Sequence, residues 1–139
     1  MEACRERGIP VSMDCQYREG ITLQTEGVRA ALERLDIFMP NRREARQLTG
    51  CEDIHEMLAA LAVLVPLVVI KDGANGAYAR QSETVYHAPA LSLPHIVDTT
   101  GSGDVFNAGF LAALMAGKDV PEALQWGNFC GGMATQAYG

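Results

Sequence analysis

Apolar positions along the chain switch between two spacings. Val28, Ala31, Leu32 and Leu35 recur at intervals of three and four, with Glu and Arg between them, which predicts a helix with one buried face. Leu67 to Ile70 is apolar at every position and mostly β-branched, as in a strand covered on both faces. Ile9 to Asp14 alternates apolar and polar residues after Gly8 and Pro10, predicting a short strand that ends in a carboxylate. Ile37, Phe38 and Met39 form a short apolar run closed by Pro40. Asn41 then opens a helix that Gly50 ends, and another helix runs from about Asp53 to Leu64. Gly73-Ala74-Asn75-Gly76 turns the chain, and Ala77 to Arg80 and Thr84 to His87 predict antiparallel strands around Gln81 to Glu83. After Pro94 come a strand-like His95 to Val97, a glycine-rich turn, and two helices rich in small residues, Asp104 to Ala116 and Val120 to Ala137.

Strand, helix, strand, helix, strand with short connections predicts an α/β fold with a mostly parallel sheet and a few antiparallel strands. Such sheets bind ligands beyond the carboxyl ends of their strands. No repeat, linker or low-complexity segment interrupts the order. The 139 residues are 48% hydrophobic and 20% charged, enough for one core and at most one domain.

Charge narrows the partners. Residues 1 to 50 hold eight basic and eight acidic side chains, while residues 51 to 139 hold three and nine, giving a net charge of -6. Without a basic patch, nucleic acid binding is not expected. Cys4, Cys15, Cys51 and Cys130 form no CxxC pair, and His55, His87 and His95 form no HxxxH. Neither a disulfide framework nor a zinc site is expected, which favours a reducing, cytoplasmic setting. Leu58 to Ile70, the longest mostly apolar stretch, contains Pro66 and is too short for a bilayer, so no membrane association is expected.

The sharpest chemical signal is Asp98-Thr99-Thr100-Gly101-Ser102-Gly103-Asp104-Val105-Phe106, between a strand and a helix. Two glycines around a small residue let backbone N–H groups converge at a helix start, where the peptide dipoles also favour an anion. Asp104, on the first turn, stands beside any phosphate held there, able to accept a proton from an attacking hydroxyl. A short Gly-x-Gly-Asp reads equally well as a capped turn, with Asp98 capping, Asp104 favouring the dipole and the glycines serving tight packing. The longer pattern has a chance frequency on the order of one in a million in a chain of this length.

This run, continuing into Asn107-Ala108-Gly109-Phe110-Leu111-Ala112-Ala113-Leu114, resembles the C-terminal signature of the ribokinase-like, or PfkB-type, carbohydrate kinases. The resemblance implies a three-layer α/β/α sheet and transfer of the γ-phosphoryl group of ATP to a hydroxyl of a sugar or sugar derivative. It makes Asp104 the general base toward the substrate and the amides of Gly101, Ser102 and Gly103 the anion hole.

Further segments extend the likeness. Asn41-Arg42-Arg43-Glu44 resembles the family's Asn-x-x-Glu motif, which implies that Asn41 and Glu44 help to hold Mg2+ and the phosphates, partly through water. The same spacing is also a capping box in its own right. Val69-Ile70-Lys71-Asp72-Gly73-Ala74-Asn75-Gly76 resembles a strand and turn that contact ATP, making Lys71, Asp72, Gly73 and Gly76 nucleotide-binding candidates, although alone it reads as a hairpin turn. Asn128, in a helix otherwise read as packing through its small residues, matches a position that borders the adenine. Asp98 and the carbonyl of Thr100 match a monovalent cation site, K+ in kind, whose other ligands lie past this stretch. Ser12 to Arg18 departs from the family's Asp-x-Asn-x-x-Arg, with Gln16 for asparagine and Arg18 one residue early. Asp14 keeps a structural or phosphate-side role there, and Arg18 reads as a solvated loop charge.

The likeness runs over nearly the whole chain but covers the C-terminal half of the family's domain, without the N-terminal strands, the β lid and most sugar contacts. Two readings follow: the nucleotide-binding and catalytic half of a kinase, or a truncated fragment that binds nucleotide weakly and has no turnover alone. An uncovered sheet edge would also suit pairing into a homo-oligomer. Neither a Rossmann Gly-x-Gly-x-x-Gly after a strand nor a Walker Gly-x-x-x-x-Gly-Lys-Ser/Thr occurs.

Overall fold

The computed structural model of the chain describes residues 2–136. In chain order its elements are α1 (Glu2–Arg5), β1 (Ser12–Met13), α2 (Val28–Leu32), β2 (Ile37–Phe38), α3 (Arg42–Thr49) and α4 (Ile54–Ala62), followed by β3 (Leu67–Lys71), a 3-10 turn (Gly73–Asn75), β4 (Ala77–Gln81), β5 (Thr84–Ala88), α5 (Ser102–Met115) and α6 (Val120–Ala134). The strands form one sheet in the order β1-β2-β3-β4-β5. β1 pairs parallel with β2, Ser12 opposite Ile37, and β2 pairs parallel with β3, Ile37 opposite Leu67. A Ser82-Glu83 connection between β4 and β5 leaves room for an antiparallel pair alone. The sheet is therefore mixed, as the pattern of elements predicts.

The described residues group into two compact units, one running to Ile70 with Ala79–Val85 added, the other Lys71–Tyr78 with the residues from Tyr86 on. In the first, Val68, Val69 and Ile70 are wholly buried, in keeping with an unbroken apolar strand, and Phe38, Met57, Leu58 and Leu61 complete the core. Asp36 ties the strand starts together: its carboxylate accepts from the Val11 amide at 2.7 Å and its carbonyl from the Leu67 amide at 3.2 Å. In the second unit α5 and α6 pack on each other through Phe106, Phe110, Ala113, Ala123 and Leu124. Gly127 makes this possible, since a Cβ there would lie 2.8 Å from the Phe106 ring.

Three expectations change. His95 to Val97 is not a strand: the Val97 and Asp98 amides donate to the Thr135 carbonyl, Gln136 Nε2 donates to the His95 carbonyl, and Ile96 is 66% exposed. Pro94 precedes a segment whose Val97 and Asp98 amides serve the end of α6 and not a ladder. The strand expected over Ile9 to Asp14 shrinks to Ser12–Met13, because the Asp36 carboxylate holds the Val11 amide. α5 begins at Ser102, two residues before the expected start, and α6 closes at Ala134, Ala137 lying outside the described residues. Among the described residues no helix is long and apolar enough to cross a membrane.

Candidate active site

The loop before α5 is folded by its own short polar side chains. Asp98 Oδ1 accepts from the Thr100 amide at 2.9 Å and from Thr100 Oγ1 at 2.8 Å, and Ser102 Oγ donates to the Thr99 carbonyl at 2.8 Å. Gly101, at φ 74°, turns the chain into the helix as its N-cap and brings no side chain to satisfy the first-turn amides. The Ser102 amide, expected in the anion hole, is instead taken up by the Thr99 carbonyl at 3.2 Å; helix geometry leaves the Gly103 and Asp104 amides without an intrahelical acceptor, at the positive end of the helix dipole. Asp104, third in the helix, is exposed, and its carboxylate has no hydrogen-bond or ion-pair partner among the described residues. The Asp104 carboxylate and the Gly103 and Asp104 amides thus share one helix turn.

Lys71 adds a positive charge to that turn. At the end of β3 its ammonium donates to Asn107 Oδ1 at 3.1 Å and stands 3.6 Å from where a Cβ on Gly103 would be. Asn107, 8% exposed, is a residue that reasoning from the sequence missed as a participant. The signal was its spacing: three residues after Asp104 and four after Gly103, it shares their side of the helix.

The Gly73-to-Gly76 turn is cross-braced. The Asp72 amide donates to the Gly76 carbonyl at 2.8 Å, Asn75 Nδ2 to Asp72 Oδ2 at 3.1 Å, and His87 Nε2 pairs with the Asn75 carbonyl at 2.8 Å. The His87 ring also stacks on Tyr78, with ring centroids 4.2 Å apart. Asn128 reaches the end of β5, its Nδ2 donating to the Ala88 and Pro89 carbonyls at 2.8 and 2.9 Å. Its amide nitrogen is committed to the backbone, leaving Oδ1 as the group it can offer.

Asn41, Glu44, Asp14 and Arg18 belong to the first unit. Asn41 and Glu44 form a complete capping box: Asn41 Oδ1 accepts from the Glu44 amide at 2.9 Å and Glu44 Oε2 from the Asn41 amide at 2.8 Å. Glu44 is 7% exposed. Among the described residues no group of three or more His, Cys, Asp or Glu could hold a metal. Donors of this kind fit Mg2+ held through water and phosphate oxygens, since that ion keeps much of its hydration shell. Asp14 Oδ1 accepts from the Cys15 amide at 2.9 Å, and Arg18 lines an apolar cavity of about 180 Å³ with Tyr17, Leu32, Phe38 and Glu44. Arg43 covers the Tyr17 ring at 3.8 Å.

A family model described as pfkB family carbohydrate kinase matches residues 1–139. The chain belongs to that family. Within it, the chain is 33% identical over 122 residues to a cytidine kinase of Thermococcus kodakarensis, covering 86% of this chain and 44% of the relative. It is 30% identical over 145 residues to a ribokinase of Arabidopsis thaliana, covering 99% and 37%. Among solved structures, Arabidopsis thaliana ribokinase complexed with ribose and ATP superposes with a TM-score of 0.86 at 28% identity, covering 99% of this chain and 45% of that one. Fructokinase from Vibrio cholerae O395, bound to fructose, ADP and calcium, gives 0.84 at 31% identity, covering 99% and 48%. The fold is thus that of the ribokinase-like kinases, and the chain spans less than half the length of these relatives.

Proposed function

We propose that residues 1–139 supply the nucleotide-binding and catalytic half of an ATP-dependent carbohydrate kinase that phosphorylates a hydroxyl of a sugar or sugar derivative. The observation that carries this reading is Asp104, an exposed carboxylate without a partner among the described residues, on the same helix turn as the Gly103 and Asp104 amides. Family membership supplies the reaction class.

The steps assigned to the chain are few, because phosphoryl transfer depends mainly on positioning and charge stabilisation. Asp104 accepts the proton of the attacking hydroxyl as its oxygen bonds to the γ-phosphorus and the bond to the β,γ-bridging oxygen breaks. The Gly101 and Gly103 amides and the Lys71 ammonium stabilise the charge on the transferred group. Asp72, Gly73, Gly76 and Asn128 border the nucleotide. Neutralisation of part of the phosphate charge would be supplied by Mg2+. Asn41 and Glu44 would hold it through water. Asp98 and the Thr100 carbonyl are the pair proposed for a monovalent cation.

The test is ADP release from MgATP in the presence of sugars, nucleosides and sugar phosphates. Release that depends on one acceptor and is lost in Asp104→Asn supports the reading. A second reading is favoured by the coverage of less than half of each relative: MgATP binds, without turnover in the chain alone. Binding without acceptor-dependent release would select it. Sedimentation of the same sample tests whether β1, the two-residue strand at the sheet edge, pairs copies of the chain.

A further inference from the structure

Asn107 is buried on an α5 face otherwise made of Phe106, Gly109, Phe110 and Ala113. An amide in such company is costly unless hydrogen-bonded, and its Oδ1 accepts from Lys71 Nζ at 3.1 Å. Because an ammonium can donate but not accept, this contact sets the amide with its oxygen toward Lys71. One helical turn separates Asn107 from Gly103, and the ammonium stands 3.6 Å from where a Cβ on Gly103 would be. The lysine therefore reaches from a buried anchor toward the first turn of the helix.

We infer that Asn107 is a positioning residue that holds the Lys71 ammonium beside the first-turn amides of α5 before a nucleotide phosphate arrives; this rests on the reading of that turn as a phosphate site. A lysine stem has four rotatable bonds, and an unanchored ammonium surrenders that freedom on binding. The neutrality of the anchor matters as much as its position. A carboxylate at 107 would also hold the lysine, but it would cancel much of the field that an anion meets. The amide holds the ammonium without itself bringing a negative charge.

The test is calorimetric titration of the full chain with MgATP and, separately, with adenosine, which lacks phosphates. Lys71→Met is expected to weaken MgATP about 10- to 100-fold, the range of a charge-assisted hydrogen bond. Asn107→Leu should weaken it about 5- to 10-fold, and the double variant should be no weaker than Lys71→Met, because the anchor acts through the lysine. Adenosine affinity should stay unchanged in all three. Asn107→Asp keeps shape and acceptor in case the leucine variant does not fold, and it should weaken MgATP while sparing adenosine. Additive losses, an equal loss for adenosine, or wild-type MgATP affinity in Asn107→Asp would overturn the inference while the nucleotide reading stands. A folded wild-type chain that binds no MgATP would overturn both.

Discussion

A β-carbon on Gly76 would stand 2.1 Å from the carbonyl oxygen of Ala88. The contact is backbone on backbone, and Gly76 has φ 89° and ψ -137°, a conformation essentially confined to glycine. The same carbonyl accepts from Asn128 Nδ2. Gly76, Ala88 and Asn128 therefore make one joint between the turn after β3, the end of β5 and α6.

Gly76→Ala should accordingly cost about 3–5 kcal/mol, combining backbone strain with a clash that cannot relax by side-chain rotation. Gly73→Ala meets open space at φ 55° and should cost about 1–2 kcal/mol. Urea denaturation of the two variants checks the order. Equal losses would show that the close approach at Gly76 does not exist.

The α5 and α6 contact links stability to the candidate site. A Cβ on Gly131 would lie 3.0 Å from the Ser102 carbonyl and 3.1 Å from Phe106 Cβ, so even one methyl presses on the first turn of α5. Gly131→Ala should lose about 1 kcal/mol net, because overpacking outweighs the helix propensity gained, and MgATP affinity should fall with it. Gly127→Val, against the Phe106 ring, should cost about 2–4 kcal/mol. Thermal melting with MgATP titration measures both, and Gly131→Ala with full stability and full affinity would contradict the packing described.

At the start of α3, Asn41→Ala removes one half of the capping box and should destabilise the chain by about 1 kcal/mol with no magnesium present. Glu44→Gln preserves an acceptor for the Asn41 amide, so stability should hardly change. Any loss in Glu44→Gln should instead appear as a higher Mg2+ requirement for ATP binding. Denaturation without Mg2+ and ATP titration across Mg2+ concentrations separate the two roles. An unaltered Mg2+ dependence would leave Glu44 as a cap alone.

Much of the fold was legible because strong periodicity survives packing. The Leu67-to-Ile70 strand and the Asn41-to-Gly50 helix stand where the pattern puts them, since burial on both faces and a capping box are properties of a few adjacent residues. His95 to Val97 misled because β-branched residues next to a proline resemble a strand until a distant partner, Thr135, takes their amides. Start positions also shifted, since α5 is set by the left-handed Gly101 and not by Asp104. At the site, Asp104 and its glycines were readable as a local loop-to-helix motif. Asn107 was not, because its role depends on Lys71, which is 36 residues away in sequence.

The central claim is that Asp104 is the base of a phosphoryl transfer beside the first turn of α5. Its most direct test compares acceptor-dependent ADP release and MgATP affinity in the wild-type chain and in Asp104→Asn. The account predicts release lowered about 10²- to 10⁴-fold by the substitution, with MgATP affinity nearly unchanged, as for loss of a general base that does not hold the nucleotide. Undiminished release in Asp104→Asn would contradict it.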